Sequence, residues 1–401
     1  MNSDPDLIVR VAAKGDGATA DGRYAPLAAP GDRLLADGTV EPGPHHAAPP
    51  CRHFPQCGGC QLQHLDEESL ADYVAGRVSG AAAGQGLSPE SIAPPHLSSP
   101  RTRRRATLHA QAIGRRVVLG FREQGSHRIV DMKECHVLAP ELFALVAPLR
   151  ALLEGVGDRK LASDVELVLA DQGAAAEMRG VKFEGLAAAE GLLAFAQANG
   201  LARLTLDQGY GPETTWEPEP VTITLGGVAV GYPAGGFLQA TADGEAALVA
   251  AAREWLGGAA TVADLFSGLG TFAFALAGPA IKVLAVEAAR DAHLVCQAAA
   301  RRTGTQVHAL HRDLFRNPLR SEELDRFAAV LLDPPRAGAR EQVQQIAESK
   351  VPRVVYISCN PASWARDAAT LVAGGYRLAE LRPVGQFRWS THVELASLFV
   401  R

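Results

Sequence analysis

The chain of 401 residues is 47% hydrophobic and 21% charged, with a net charge of −5 at pH 7. It is long enough for two or three domains with cores of their own, and its composition is ordinary for a soluble globular protein. The acidic balance argues against nucleic-acid binding through bulk charge, but not through a local basic stripe.

The opening residues are acidic and polar, without a leader pattern, and the longest uncharged window, Leu265 to Ile281, contains three glycines and a proline. A cytoplasmic protein without a membrane span is expected. Six cysteines make no secreted disulfide framework, so any that cluster point to metal or catalysis. Residues 1–45 read as short strands between Gly, Pro and Asp turns, a β module too small for a full core. Residues 42–50 are a Pro-rich linker.

Cys51, Cys57 and Cys60 follow within ten residues, with Gly58-Gly59 between the last two and Cys135 far downstream. Glycines let backbone wrap a ligand, and four thiolates suit tetrahedral zinc or an iron–sulfur cluster. The three-plus-one layout fits a cubane better than the two close pairs usual for zinc. His53, His64 and His136 keep a Cys3His zinc site open. A helix is expected near 65–84, at a place where it can pack on the C-terminal domain. Strands are expected over 106–112, 117–121 and 127–130, then a helix over 139–153 and alternating elements to 233. The basic stripe Arg103-Arg104-Arg105, with Arg115-Arg116, supplies candidate phosphate contacts. Residues 46–235 thus read as one α+β domain carrying metal and stripe.

From 236 the pattern becomes βαβ, the signature of a doubly wound, Rossmann-like α/β domain running to 401. Its first strand ends in Asp264-Leu265-Phe266-Ser267-Gly268-Leu269-Gly270, where glycines admit a ligand close to backbone. Gly268-x-Gly270-x-x-Ala273 with Glu287 satisfies a dinucleotide pattern, so a nicotinamide cofactor must be weighed. Asp264, Asp313 and Asp333, each near a strand end, bring acid to the crevice. Such a crevice suits cationic S-adenosylmethionine better than a pyrophosphate. Asp333-Pro334-Pro335 is also found in enzymes that methylate exocyclic amines, but those continue with an aromatic residue where Arg336 stands. The strand Val354–Ser358 should stop at Pro361, which leaves Cys359 at a strand end and in reach of ligand. Glu394 lies on a late strand. Uracil C5 is too weak a nucleophile to accept a methyl unaided; a thiol adding at C6 and a separate base at C5 would solve this, and Cys359 and Glu394 supply both.

In combination and order, several stretches resemble the uracil-5 RNA methyltransferase family, in particular its iron–sulfur 23S ribosomal RNA members. They are the cysteine loop, Gly120-Phe121 through Ser126-His127 to Cys135 and Ala139-Pro140, Phe237-Leu238-Gln239, Asp264 to Gly270, Asp333 to Gly338, Ser358 to Ala362 and His392-Val393-Glu394. The resemblance implies Cys359 as nucleophile and Glu394 as base. It implies a cofactor and uracil pocket at Gln239, Glu287 and Asp333, with Phe237 as an apolar wall, and a [4Fe-4S] cluster on Cys51, Cys57, Cys60 and Cys135. Phe266, in the glycine loop, is counted with the cofactor contacts. The expected partner is RNA, ribosomal before transfer RNA, and the protein is expected to be a monomer. A non-enzymatic iron–sulfur RNA-binding protein is the alternative of another class. Gly15-x-Gly17 and Pro30-Gly31-Asp32 resemble a shortened RNA-binding TRAM barrel. Two departures, Thr241 for Asn and Arg388-Trp389 for Pro-His, are expected to face the substrate.

Overall fold

The computed structural model describes residues 4–401. Ile8–Val11, Gly17–Thr19 and Tyr24–Ala25 form an antiparallel sheet, and Arg33–Leu34 pairs with Val40–Glu41. Their core is Ile8, Ala25, Ala28 and Leu34. Buried Asp32 ties the chain together, accepting from Ala29 N and Gly43 N at 2.7 Å each and meeting His46 Nδ1 at 2.7 Å.

The central sheet runs Pro212–Trp216, Arg203–Asp207, Gly173–Arg179, Ala162–Ala170, Arg105–Ile113, Arg116–Gly120. Only Gly173–Arg179 and Arg203–Asp207 pair in parallel, joined by the helix Leu186–Ala198. That helix and Val146–Gly155 cover one face. Ala106, Leu108 and Ala110 point into this core, so Arg105 and Thr107 face the other way, as strand alternation requires. The strand expected over 127–130 does not form. Within it only Ile129 makes a bridge, to Arg122, although Val130 N donates to Phe121 O at 2.9 Å and Arg128 O accepts from Glu123 N at 2.8 Å.

The C-terminal sheet contains β1 (Thr261–Leu265), β2 (Lys282–Glu287), β3 (Val307–His311), β4 (Ala329–Leu332), β5 (Arg353–Ser358), β6 (Arg377–Gly385) and β7 (Glu394–Val400). Their order is β3-β2-β1-β4-β5-β7-β6. β1 to β5 are parallel, as expected, but β7 inserts antiparallel between β5 and β6, so the sheet is mixed. Alternate residues serve two cores: Ala263, Val330 and Tyr356 one, Val262, Leu331 and Ile357 the other. Such β-rich apolar runs are what a sheet covered on both faces selects.

Two segments expected in the central domain pack on this body. The helix Glu67–Gly84, N-capped by Asp66, buries Leu70, Tyr73, Val74 and Val78 beside Trp364 and Leu371, and Ser91–Ile92 and His96–Leu97 extend the sheet next to β6. The hairpin Thr222–Leu225/Val228–Gly231 packs with Phe274 and Leu248; at its turn, Gly226 leaves no room for a Cβ, which would meet Phe274 O at 2.4 Å. The contiguous span 46–235 is therefore interrupted by packing. Among the described residues, no helix is long and apolar enough to cross a membrane.

Candidate active site

Parallel strands deliver their carboxyl ends to one edge of the sheet. There, β1 brings Asp264, fully buried, with neither carboxylate oxygen hydrogen-bonded. Burial pushes its pKa up to about 8, with Glu287 adding to the rise. Phe266 follows with φ +62°, a strained value for a non-glycine residue, and Gly268 and Gly270 turn at φ +55° and +94°. A Cβ on Gly270 would meet Phe274 at 2.8 Å and Cys296 Sγ at 3.0 Å. Glu287, the last residue of β2, accepts from Gly268 N at 2.8 Å and Ala289 N at 2.7 Å. Asp313, after β3, closes its own turn by accepting from Phe315 N and Arg316 N at 3.0 and 3.2 Å. Asp333, after β4, is held well above the usual carboxylate range by burial and by its neighbours Glu394 and Asp264.

Cys359 stands just past β5. Asn360 ends the strand and caps the next helix: its Oδ1 accepts from Ala362 N at 3.2 Å, and its Nδ2 donates to Arg336 O at 2.9 Å. Pro361 occupies the first helical turn, where its missing N–H costs nothing. Because β7 runs antiparallel, its first residue reaches the edge where β5 ends. Ser358 opposes Leu395, so Cys359 and Glu394 follow at the same end of the pair. Glu394 is buried, which pushes its pKa up to about 7. The strand-end position does not lower the Cys359 thiol. Instead burial, then Glu394 and Asp333, push it up to about 11, and only Arg336 among its charged neighbours pulls it down.

Both residues line an open cleft of about 740 Å³ between the two domains. Gln239 and Asp333 meet behind it, with Gln239 Nε2 donating to Asp333 Oδ2 at 3.4 Å. Phe237 is 59% exposed on the cleft wall, with the Arg105 guanidinium 5.3 Å above its ring. Arg103 stacks between Phe121 and Phe387 on the same wall.

The arginine stripe does not act as one surface. Arg104 turns inward, pairing with Glu245 at 2.6 Å and donating to Gln239 O at 3.2 Å, because neighbouring residues alternate sides. The two departures also turn away from the cleft. Thr241 is buried, caps the helix Ala242–Leu256 by accepting from Gly244 N at 3.1 Å, and meets Ser98 Oγ at 2.9 Å. Arg388 pairs with Glu67 and donates to Ser98 O at 3.0 Å; Trp389 is buried, and its carbonyl accepts from Gln61 N and Leu62 N. Gln386, Phe387 and His392 join the site from the segment between β6 and β7. No sequence pattern singles out Gln386.

Cys51, Cys57, Cys60 and Cys135 line one small cavity of about 20 Å³. Gly58 and Gly59 are required beside it: a Cβ on Gly58 would meet Arg122 O at 2.8 Å, and one on Gly59 would meet Phe121 at 3.0 Å and Cys57 Sγ at 3.5 Å. Among the described residues, no three His, Cys, Asp or Glu side chains gather as a single ion demands.

Residues 232–401 match the tRNA (uracil-5-)-methyltransferase family. An RNA methyltransferase of Zymomonas mobilis is 48% identical over 98% of this chain and 99% of its own. The 23S rRNA (uracil(1939)-C(5))-methyltransferase of Edwardsiella ictaluri is 36% identical, over 90% of this chain and 83% of that protein. The fold is that of Pyrococcus abyssi tRNA (uracil-54, C5)-methyltransferase in complex with S-adenosyl-L-homocysteine, with a TM-score of 0.74 over 98% of this chain and 99% of that one, at 23% identity.

Proposed function

This chain belongs to the RNA (uracil-5-)-methyltransferase family, and from that membership we propose that it methylates C5 of a uridine in 23S ribosomal RNA through a covalent adduct on Cys359. It is an S-adenosylmethionine-dependent enzyme. The observation that carries the mechanism is the antiparallel β7, which sets Glu394 beside Cys359 in one cleft.

The cofactor fits this chain. Asp264 offers two buried, unpartnered carboxylate oxygens suited to a cationic ligand, Gly268 and Gly270 keep the loop clear of side chains, and Glu287 stands ready for ribose hydroxyls. Bound S-adenosylmethionine supplies an electrophilic methyl group. The chain's own residues prepare and finish the reaction. The Cys359 thiol, aided by Arg336, gives its proton to solvent in the open cleft, and the thiolate sulfur bonds to C6 as the C5–C6 π pair moves toward O4, which makes C5 nucleophilic. Once C5 is methylated, Glu394 takes the C5 proton; the C5–C6 double bond reforms and the Cys359–C6 bond breaks. A carboxylate with a pKa near 7 is suited to that transfer.

Phe237 and Arg105 form a stacking platform for a base, and Arg103 and Arg105 contact phosphate. The four cysteines would hold a [4Fe-4S] cluster, a reading supported by their lining of one cavity and by glycines where side chains would intrude.

Two variants separate the steps. Cys359→Ala should bind RNA yet form no adduct and transfer no methyl. Glu394→Gln should accumulate an RNA–protein adduct that carries labelled methyl and survives denaturing gels. Substantial methyl transfer by Cys359→Ala would defeat the covalent route. Mapping 5-methyluridine lost from the RNA of a deletion strain tests the target; loss from transfer RNA alone would replace the ribosomal reading.

A further inference from the structure

Gln386 lies just past β6, is buried, and stands against the Glu394 carboxyl, which its side-chain hydrogen bond lowers against the rise from burial. Its Nε2 donates to Gln239 Oε1 at 2.8 Å, and its Oε1 accepts from the backbone N–H of Thr241 at 3.4 Å. A backbone N–H only donates, so the Gln386 amide has one orientation; turned over, it would set two donors against each other. That orientation decides the next amide. Gln239 must offer its oxygen to Gln386, which leaves its Nε2 directed at Asp333 Oδ2. The space is shaped for this side chain: a Cβ on Gly244 would stand 2.6 Å from Gln386 Cβ and 3.1 Å from its Oε1. Gln239 lies on the cleft wall with Cys359 and Glu394.

We infer that Gln386 is a positioning residue that makes Gln239 a hydrogen-bond donor toward the base in the cleft and thereby selects uracil over cytosine. The inference rests on the functional reading above. One Nε2 hydrogen of Gln239 goes to Asp333 and the other is left for the base. Beside C5, uracil carries O4, an acceptor, where cytosine carries an amino group. An amide nitrogen presented there pairs with O4 but confronts the cytosine amine with a second donor.

The test uses the full-length protein and two transcripts of the mapped target segment that differ only in uridine or cytidine at the methylated position. It reads kcat/KM for methyl incorporation, with a thermal melt of each variant. Gln386→Leu should lower the uridine-to-cytidine ratio by about ten- to a hundredfold, the range set by one misdirected hydrogen bond. Gln239→Leu should lower it by a like factor, and the double variant no further, since both act through one amide. Gln386→Glu keeps the shape and should lower the ratio most, because its carboxylate accepts from Gln239 and turns that oxygen to the cleft; it carries the test if the leucine variant fails to fold. Additive losses, or an activity loss that leaves the ratio unchanged, would overturn the relay while leaving uracil methylation standing. A wild type that methylates neither transcript would defeat the functional reading and the relay with it.

Discussion

Glu394 shows how burial prepares a base and what that costs the fold. Its pKa is pushed from 4.5 to about 7 by the loss of water around it. The folded chain therefore retains a proton that the unfolded chain has already released. Stability falls as pH rises from about 4.5 to about 7 and stays reduced above that range. Glu394→Gln removes this ionisation, so it should raise stability at about pH 8, on the order of 3 kcal/mol, and leave it unchanged at about pH 4. Thermal melts at the two pH values check this, and an equal gain at both would show that burial of charge is not the cause. Methyl transfer at saturating substrates should rise through about pH 7 as Glu394 ionises, whereas Cys359, pushed up to about 11, gains thiolate further up the scale.

At the scale of an element, the segment entering the strand Arg105–Ile113 assigns three neighbouring arginines to different tasks. Arg103 and Arg105 lie in the cleft, and Arg104 fastens this segment to the helix Ala242–Leu256 through Glu245. Arg103→Gln and Arg105→Gln should each reduce the log–log salt slope of RNA binding by about 0.7–0.9, the value for one released counterion. Arg104→Gln should leave the slope unaltered. It leaves a largely buried carboxylate without its partner, so it should cost roughly 3 kcal/mol in denaturant unfolding. A salt slope that responded equally to all three would contradict the division.

In the whole molecule, the cysteine loop is a joint between bodies. Gln61 N and Leu62 N donate to Trp389 O on the catalytic side at 2.7 and 2.9 Å, and Phe121, Met132 and Cys135 of the central domain close the cavity. A cluster there would draw the two walls of the substrate cleft into register, since metal binding adds to folding stability. Anaerobically purified protein should contain about four irons per chain. Cys57→Ser should lose that iron, melt at lower temperature and bind RNA more weakly. Unchanged melting in an iron-free variant would remove the structural role, and stoichiometric zinc in the wild type would remove the cluster.

Local chemistry alone determined much of this protein. The alternation of short apolar strands with helices, the glycines after β1 and the Asn-Pro stop after β5 are signals written in neighbouring residues, and they put Asp264, Glu287, Asp333 and Cys359 at one sheet edge. Pairing between distant segments decided the rest. Nothing near Glu394 states that its strand enters antiparallel between β5 and β6, which is what brings it to Cys359. Nothing near Arg104 states that Glu245 waits behind it, or near Gln386 that Gln239 needs its amide. The raised pKa of Cys359 follows from burial and from two carboxylates that approach only in the folded chain. Periodicity and turn chemistry act over a few residues, whereas burial, long-range strand order and the facing of buried amides exist only once distant parts of the chain have packed together.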